Sequence, residues 1–376
     1  MNNIPPKPAA LLISLLLAFN QAIAASVTEI PQQDPRFKLE QLAQGLGVPW
    51  GMAFLNANEL IFTEREGNIK ILELDSLQVS LLNGAPKVAA RGQGGMLDVA
   101  LGPNFEAEGW IYFTYAKPTI AGAVTTFSRA RRNGNELTDW QDLLVTQSAT
   151  GTSLQYGSRI AFDDKGYVFF SVGDRDQREY AQDLSNHAGS IIRLNLDGSV
   201  PDDNPFVGQA NALPEIWSYG HRNPQGLVFD PAEKILWSIE HGPRGGDEIN
   251  RIYRGRNYGW PVVSYGKEYW GPVSIGEGTE KPGMESPLKV YIPSIAPGSL
   301  IMYDGDAFPM WKGNLFAGAL KLQHLNRVPI SASQLPSGEE RLLGDLRERI
   351  RALVQSPEGW IYFSTDSGKI IRMRPR

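Results

Sequence analysis

The chain contains no cysteine. That excludes a disulfide-stapled scaffold, a thiolate nucleophile and a cysteine-ligated zinc site. Histidine is nearly as scarce, with four in the chain, too few to expect a polyhistidine metal centre. Lysine and arginine number 36 against 41 acidic residues, a net charge of −5 with no basic tract; nucleic acid is therefore not an expected partner. The sustained apolar run at residues 9–19 (AALLISLLLAF) falls well short of the roughly 20 residues a membrane-spanning helix needs. Neither HExxH, a P-loop nor a Ser-His-Asp order occurs, and no pattern for a long helix stands out.

What is present begins with an export signature. Lys7 precedes the apolar run, and Ala22-Ile23-Ala24 forms a small-residue cleavage pattern, so residues 1–24 read as a secretory signal peptide cut after Ala24. A periplasmic or secreted protein without cysteine must then be stabilised by its core. Residues 25–36 are polar and broken by proline, a loose lead-in. The remainder, 37–376, is expected to be one domain.

That domain is repetitive. An alternating apolar strand, a turn rich in Asp, Asn, Gly or Pro, and a second aromatic-rich strand recur six times, starting at Gly51, Asp98, Arg159, Gly226, Ser299 and Arg351. Several copies continue into a third strand (NIKILEL, SIIRLNL, EINRIYR, KIIRMRP). Six such units predict an all-β, six-bladed β-propeller, whose blades are four-stranded sheets around an axis. The strand at Phe37 is expected to complete the last blade and close the ring. Insertions at 174–190, 197–216 and 264–293 are expected as functional loops on one rim.

The richest stretch is residues 218–261, which set Arg222, Asn223, His241, Arg244, Asp247, Glu248, Arg251 and Tyr258 among seven glycines and four prolines. Its polar clusters flank two predicted strands, so they lie on loops that a rigid sheet holds in place. Arg222 with Asn223 suits an anionic or carbonyl-bearing ligand. The Gly242-Pro243 kink offers backbone carbonyls to a hard cation, with Asp247, Glu248 and Tyr258 as further oxygen donors; a bulge with surface carboxylates is the competing reading. Gln93 stands in a glycine-rich turn that would equally serve as a tight connection. Arg349 and Arg351 share a strand face. With Lys321 they would form a cationic pocket for a polycarboxylate if that face lines the channel, and otherwise they are edge-strand charge.

Taken together, GQGGMLDVALGPNF, GSRIAFDDKGYVFFSVGDR, SYGHRNPQGLVFDP, EHGPRGGDEIN, GRNYGWP, PSIAP, FAGALK and RIRALVQSPEGWIYFSTD resemble the soluble pyrroloquinoline quinone (PQQ) sugar dehydrogenases, the aldose-type members most closely. They run in order from about Gly45 to the C-terminus. The resemblance implies a six-bladed propeller that oxidises the C1 hydroxyl of an aldose to a lactone and passes hydride to PQQ beside Ca²⁺. It implies that Arg222 and Asn223 contact the quinone oxygens, and that Lys321, Arg349, Arg351 and Gln93 bind the cofactor. Gly242 and Pro243 would hold Ca²⁺ through their carbonyls, and Glu248 and Tyr258 match a second metal site. Tyr269, and Ser264 near it, fall in a loop that approaches the cofactor. An electron acceptor is a further implied partner, and monomer and homodimer both stay open.

Two positions depart from the family pattern. The general-base His of His-x-Gly-Gly-Arg is replaced: here the motif reads Gln155-Tyr156-Gly157-Ser158-Arg159. A glutamine amide hydrogen-bonds a hydroxyl but cannot take its proton near neutral pH, and losing a general base costs about 10²–10⁴-fold in rate. Gly298 follows Ala296-Pro297 where Ser is usual. Three readings follow: an exported quinoprotein dehydrogenase, a catalytically impaired propeller that binds PQQ, a sugar or a protein, and a hydrolytic propeller such as a lactonase, for which no carboxylate-rich centre is evident.

Overall fold

The computed structural model describes residues 27–376; the expected signal peptide lies outside the described residues. Six antiparallel sheets follow one another along the chain. Blade 1 comprises Pro49–Phe54, Glu59–Glu64, Ile69–Glu73 and Val79–Leu82. Blade 2 comprises Met96–Leu101, Ile111–Thr119, Gly122–Asn133 and Glu136–Val145. Blade 3 comprises Ile160–Phe162, Tyr167–Val172, Ser190–Asn195 and Ile216–Tyr219. Blade 4 comprises Pro224–Asp230, Ile235–Glu240, Asp247–Ile252 and Lys289–Tyr291. Blade 5 comprises Pro297–Tyr303, Asn314–Ala319, His324–Val328 and Glu340–Leu342.

Blade 6 is built from both ends of the chain. Ile350–Gln355, Ile361–Thr365 and Lys369–Pro375 come from the C-terminus, and Phe37–Ala43 pairs with the last of them, as expected for ring closure. One expectation is corrected. The lead-in is not wholly loose: Thr28–Ile30 adds a fifth strand, Thr28 opposite Gln41.

Alternation explains the packing. Successive side chains leave a strand on opposite faces, and each blade has a neighbour on both sides. In the second strand of blade 1, Ile61 packs into a cluster shared with blade 2 (Phe113, Val99), while Leu60 and Phe62 pack into one shared with blade 6 (Tyr362, Ala352). Five further apolar clusters bridge blades in the same way or close the ring, among them Phe127 with Phe170 between blades 2 and 3 and Trp237 with Leu315 between blades 4 and 5. Each such fully buried side chain contributes about 1.5–3 kcal/mol, which stabilises the ring without a covalent cross-link.

Strand direction decides which loops share a rim. Connections entering an innermost strand, and those joining second to third strands, emerge at one end; the others emerge at the opposite end. The 174–190 loop is therefore on the first rim. The 197–216 segment follows the third strand of blade 3 and leaves from the opposite rim, contrary to the expectation that all three insertions share one. The long connection of blade 4 also leaves there, but climbs back: Asn257 bridges to Tyr219, and Arg244 pairs with Lys267.

Candidate active site

At the channel axis one side chain touches every blade. Arg159 of blade 3 donates from Nη1 to Asp98 of blade 2 at 2.8 Å and from Nε to the Gln225 carbonyl of blade 4 at 2.9 Å. Its Nη2 reaches the Gly298 carbonyl of blade 5 at 2.6 Å and the Arg351 carbonyl of blade 6 at 3.3 Å. The guanidinium lies 4.0 Å from the Trp50 ring of blade 1. Burial pushes the Asp98 carboxyl up and Arg159 opposes it. Gly298, one of the two sequence departures, has its reason here. A Cβ at that position would lie 2.7–2.8 Å from the Arg351 and Ile350 carbonyls, so a side chain would push blades 5 and 6 apart.

On the first rim, above this plug, lies a cavity of about 200 Å³ lined by Trp50, Arg65, Gln93, Tyr156, Gly157, Gln225, His241, Ala296, Leu320, Arg349, Arg351 and Asp366. Three lining cations face one carboxylate. Arg349 Nε and Arg351 Nε share Asp366 at 2.7 and 2.8 Å. Burial works against ionisation of Asp366, but Arg351 and Arg349 outweigh it and hold the carboxyl below its ordinary range. The surplus positive charge suits an anionic ligand. Lys321, next in sequence to lining Leu320, is exposed and does not line the cavity. Gln93 Oε1 accepts from the Gln155 N–H at 2.8 Å.

A second, much smaller space of about 20 Å³ adjoins the first through His241 and is lined by Arg222, Glu240, Gly242, Pro243, Glu248, Tyr258, Trp260 and Ser264, among others. It has room for a single ion or water. Arg222 Nη1 donates to the His241 and Gly242 carbonyls at 3.1 and 2.9 Å. Asn223 Oδ1 accepts from the Gly157 N–H at 3.1 Å. A Cβ on Gly242 would meet the Gly245 and Gly246 carbonyls, so only glycine lets these oxygens converge.

The oxygen donors expected from sequence divide. Asp247 is spent on structure, accepting from the Gly242 N–H at 2.9 Å, the Ala296 N–H at 2.7 Å and the Ser294 hydroxyl. The Tyr258 hydroxyl is engaged with Arg251 and Tyr253 backbone in its own loop; its ring stacks on His221, centroids 4.5 Å apart. Glu248 remains, and burial beside Glu240 pushes its carboxyl up to about 8. Its protonated form therefore stabilises the metal-free fold fully below the ordinary carboxylate range, and that contribution is lost as pH rises towards 8. Metal-free protein is expected to lose thermal stability between pH 5 and 8, and Glu248→Gln to remove most of that slope in melts across the range.

Gln155, in the left-handed region at φ 55°, lines neither cavity but contacts Gln93 of the larger and Arg222 of the smaller. Its neighbours orient the amide with nitrogen on Asp174 Oδ1 and oxygen 3.3 Å from Arg222 Nη2. Asp174, fully buried, also accepts from Trp260 Nε1 at 2.7 Å and the Asp176 N–H at 2.9 Å. Burial raises its carboxyl to about 6 despite Arg222.

Tyr269 lines neither cavity and is 66% exposed, beside Trp270 at 77%. Ser264 lines the smaller one. Sequence reasoning assigned no role to Asp174, Asp366, Trp50 or Arg65. A signal for the first two was present: in blades 1, 3, 4 and 6 the chain reaches an acidic residue (Glu64, Asp174, Glu240, Asp366) at or just past the rim end of the second strand.

The fold and much of the sequence are shared with known proteins. Residues 46–372 match the family model described as glucose/sorbosone dehydrogenase. The chain is 37% identical over 345 residues to the aldose sugar dehydrogenase YliI of Escherichia coli (strain K12), covering 90% of this chain and 93% of that protein. The crystal structure of the soluble aldose sugar dehydrogenase from Escherichia coli in the apo-form superposes with a TM-score of 0.87 at 36% identity, over 90% of this chain and all of that one. Quinoprotein glucose dehydrogenase B of Acinetobacter calcoaceticus is 26% identical over 444 residues, 94% of this chain and 92% of that protein. The chain belongs to the glucose/sorbosone dehydrogenase family, and the relatives named above are sugar dehydrogenases.

Proposed function

We propose that the protein is an exported, PQQ-dependent dehydrogenase that oxidises the C1 hydroxyl of an aldose to the lactone. The observation that carries this reading is the charge of the larger cavity, whose wall holds Arg65, Arg349 and Arg351 against one lining carboxylate, Asp366, with Arg65 paired to Glu66 outside the wall at 3.5 Å. Those residues fit the carboxylates of PQQ, which when bound would supply a quinone carbonyl able to accept hydride from the sugar. Arg222 and Asn223 would donate to the quinone oxygens, stabilising the charge that develops there. The quinoprotein relative and the export signature of residues 1–24 support the same reading.

The smaller cavity fits Ca²⁺. Gly242 and Pro243 line it and would supply carbonyl oxygens, that of Gly242 also accepting from Arg222, beside the buried Glu248 carboxyl, which has no cationic partner of its own among the described residues, and Ca²⁺ takes such oxygens. Gln155 can hydrogen-bond the sugar hydroxyl without deprotonating it. That one substitution favours a second reading, a propeller that binds PQQ or a sugar but turns over poorly.

Mature protein mixed with PQQ and Ca²⁺ tests both. Binding with dye reduction by an aldose panel is expected; binding without reduction leaves the second reading, and no binding overturns both. Arg351→Gln is expected to weaken PQQ binding about 10–100-fold, the scale of one charged hydrogen-bonding group, as measured by titration.

A further inference from the structure

Gln155 lines neither cavity but touches a wall residue of each, Gln93 through its backbone N–H and Arg222 through its side chain, and its planar amide has a donor end and an acceptor end. Around it the structure places two carboxylates and a guanidinium, and only some amide orientations satisfy them. With nitrogen on Asp174 Oδ1, the oxygen accepts from Arg222 Nη2 at 3.3 Å. Turned over, the nitrogen lies against the Arg222 Nη2 donor with Asp176 Oδ1 at 3.4 Å as its acceptor, while the oxygen faces Asp174. An ionised Asp174 only accepts, so it selects the first orientation; a protonated Asp174 can donate to the amide oxygen and permits the second.

We propose that Asp174 is a positioning residue that sets which end of the Gln155 amide meets Arg222. With Asp174 ionised, the amide oxygen caps Arg222 Nη2 and the chain Asp174–Gln155–Arg222 is continuous. With Asp174 neutral, Arg222 loses that acceptor and keeps only the His241 and Gly242 carbonyls. The charged groups around Asp174 are Arg222 before blade 4, Asp176 and Arg175 on its own loop, and Arg178 beyond them, itself paired with Glu268 at 2.6 Å. Trp260, from the long connection of blade 4, holds the other carboxylate oxygen. Burial raises the carboxyl to about 6, so both states are accessible at ordinary pH. The consequence for turnover rests on the sugar dehydrogenase reading above; the amide orientation does not.

The test is a pH titration of the Gln155 side-chain amide by ¹H–¹⁵N NMR on ligand-free protein, the signals identified by their loss in Gln155→Ala. We expect them to shift with a midpoint near 6, and the shift to vanish in Asp174→Asn. Trp260→Phe removes a donor to the ionised carboxylate and is expected to move the midpoint upward. It serves as the second variant should Asp174→Asn fold poorly. Signals that stay still between pH 5 and 8, or a midpoint unmoved in Trp260→Phe, overturn the assignment. In protein loaded with PQQ and Ca²⁺, kcat should rise through the same midpoint, and Asp174→Asn should lower it about 10–100-fold and flatten that limb. Wild-type turnover that Asp174→Asn leaves unchanged overturns the assignment's role in catalysis. No wild-type turnover with any aldose overturns the functional reading instead, with the NMR result still deciding the amide.

Discussion

Replacing Arg159 with methionine is expected to destabilise the propeller by about 3–5 kcal/mol, the cost of removing one partner from a buried ion pair. Methionine approximates the length of the arginine stem and supplies none of its donors. Asp98 would be left buried at 6% exposure, still holding the Ile160 N–H at 2.9 Å but without its counter-ion. The Gln225 and Gly298 carbonyls would lose their partners as well. Lysine should rescue little, because a single ammonium cannot reach four blades as the planar guanidinium fork does. Urea unfolding midpoints measure the effect. Asp98→Asn combined with Arg159→Met should cost less than the sum of the two single changes, since they remove one shared interaction. A loss below about 1 kcal/mol for Arg159→Met would show that the ring is held by the clusters between blades alone, since even one unsatisfied buried polar group costs about that much.

The second large effect is a gain. Gln155→His is expected to raise kcat for an aldose by about 10²–10⁴-fold in protein loaded with PQQ and Ca²⁺, the usual contribution of a general base. The site is prepared for histidine in three respects. The left-handed backbone at 155 is one that histidine adopts more readily than most side chains. Asp174 lies where a carboxylate can hold one ring nitrogen and so fix the tautomer. Arg222 nearby disfavours a second positive charge, which keeps the other nitrogen free to accept a proton. Steady-state dye reduction, with PQQ affinity measured in parallel, separates the outcomes. Equal kcat in both proteins would mean that proton removal is handled elsewhere, and wild-type glutamine would then be no impairment.

The range of the forces involved decides how much of this protein its sequence determines. The sequence by itself determined the six blades, the strand positions and the closing strand at Phe37. Alternation and turn chemistry act over a few residues, and six repeats of one weak signal reinforce each other. It also singled out Arg222, Gly242, Pro243, Glu248, Arg349 and Arg351, because glycine, proline and charge crowd the loops that enter strands. Tertiary structure alone decided how those residues divide between two cavities joined at His241, and that Asp247 and the Tyr258 hydroxyl serve the loops. It decided, too, that the third insertion starts at the far rim yet returns to place Trp260 on Asp174. Arg159 shows the reason most plainly. Its partners lie 61, 66, 139 and 192 residues away in sequence, and no local pattern encodes contacts that exist only once the ring has closed.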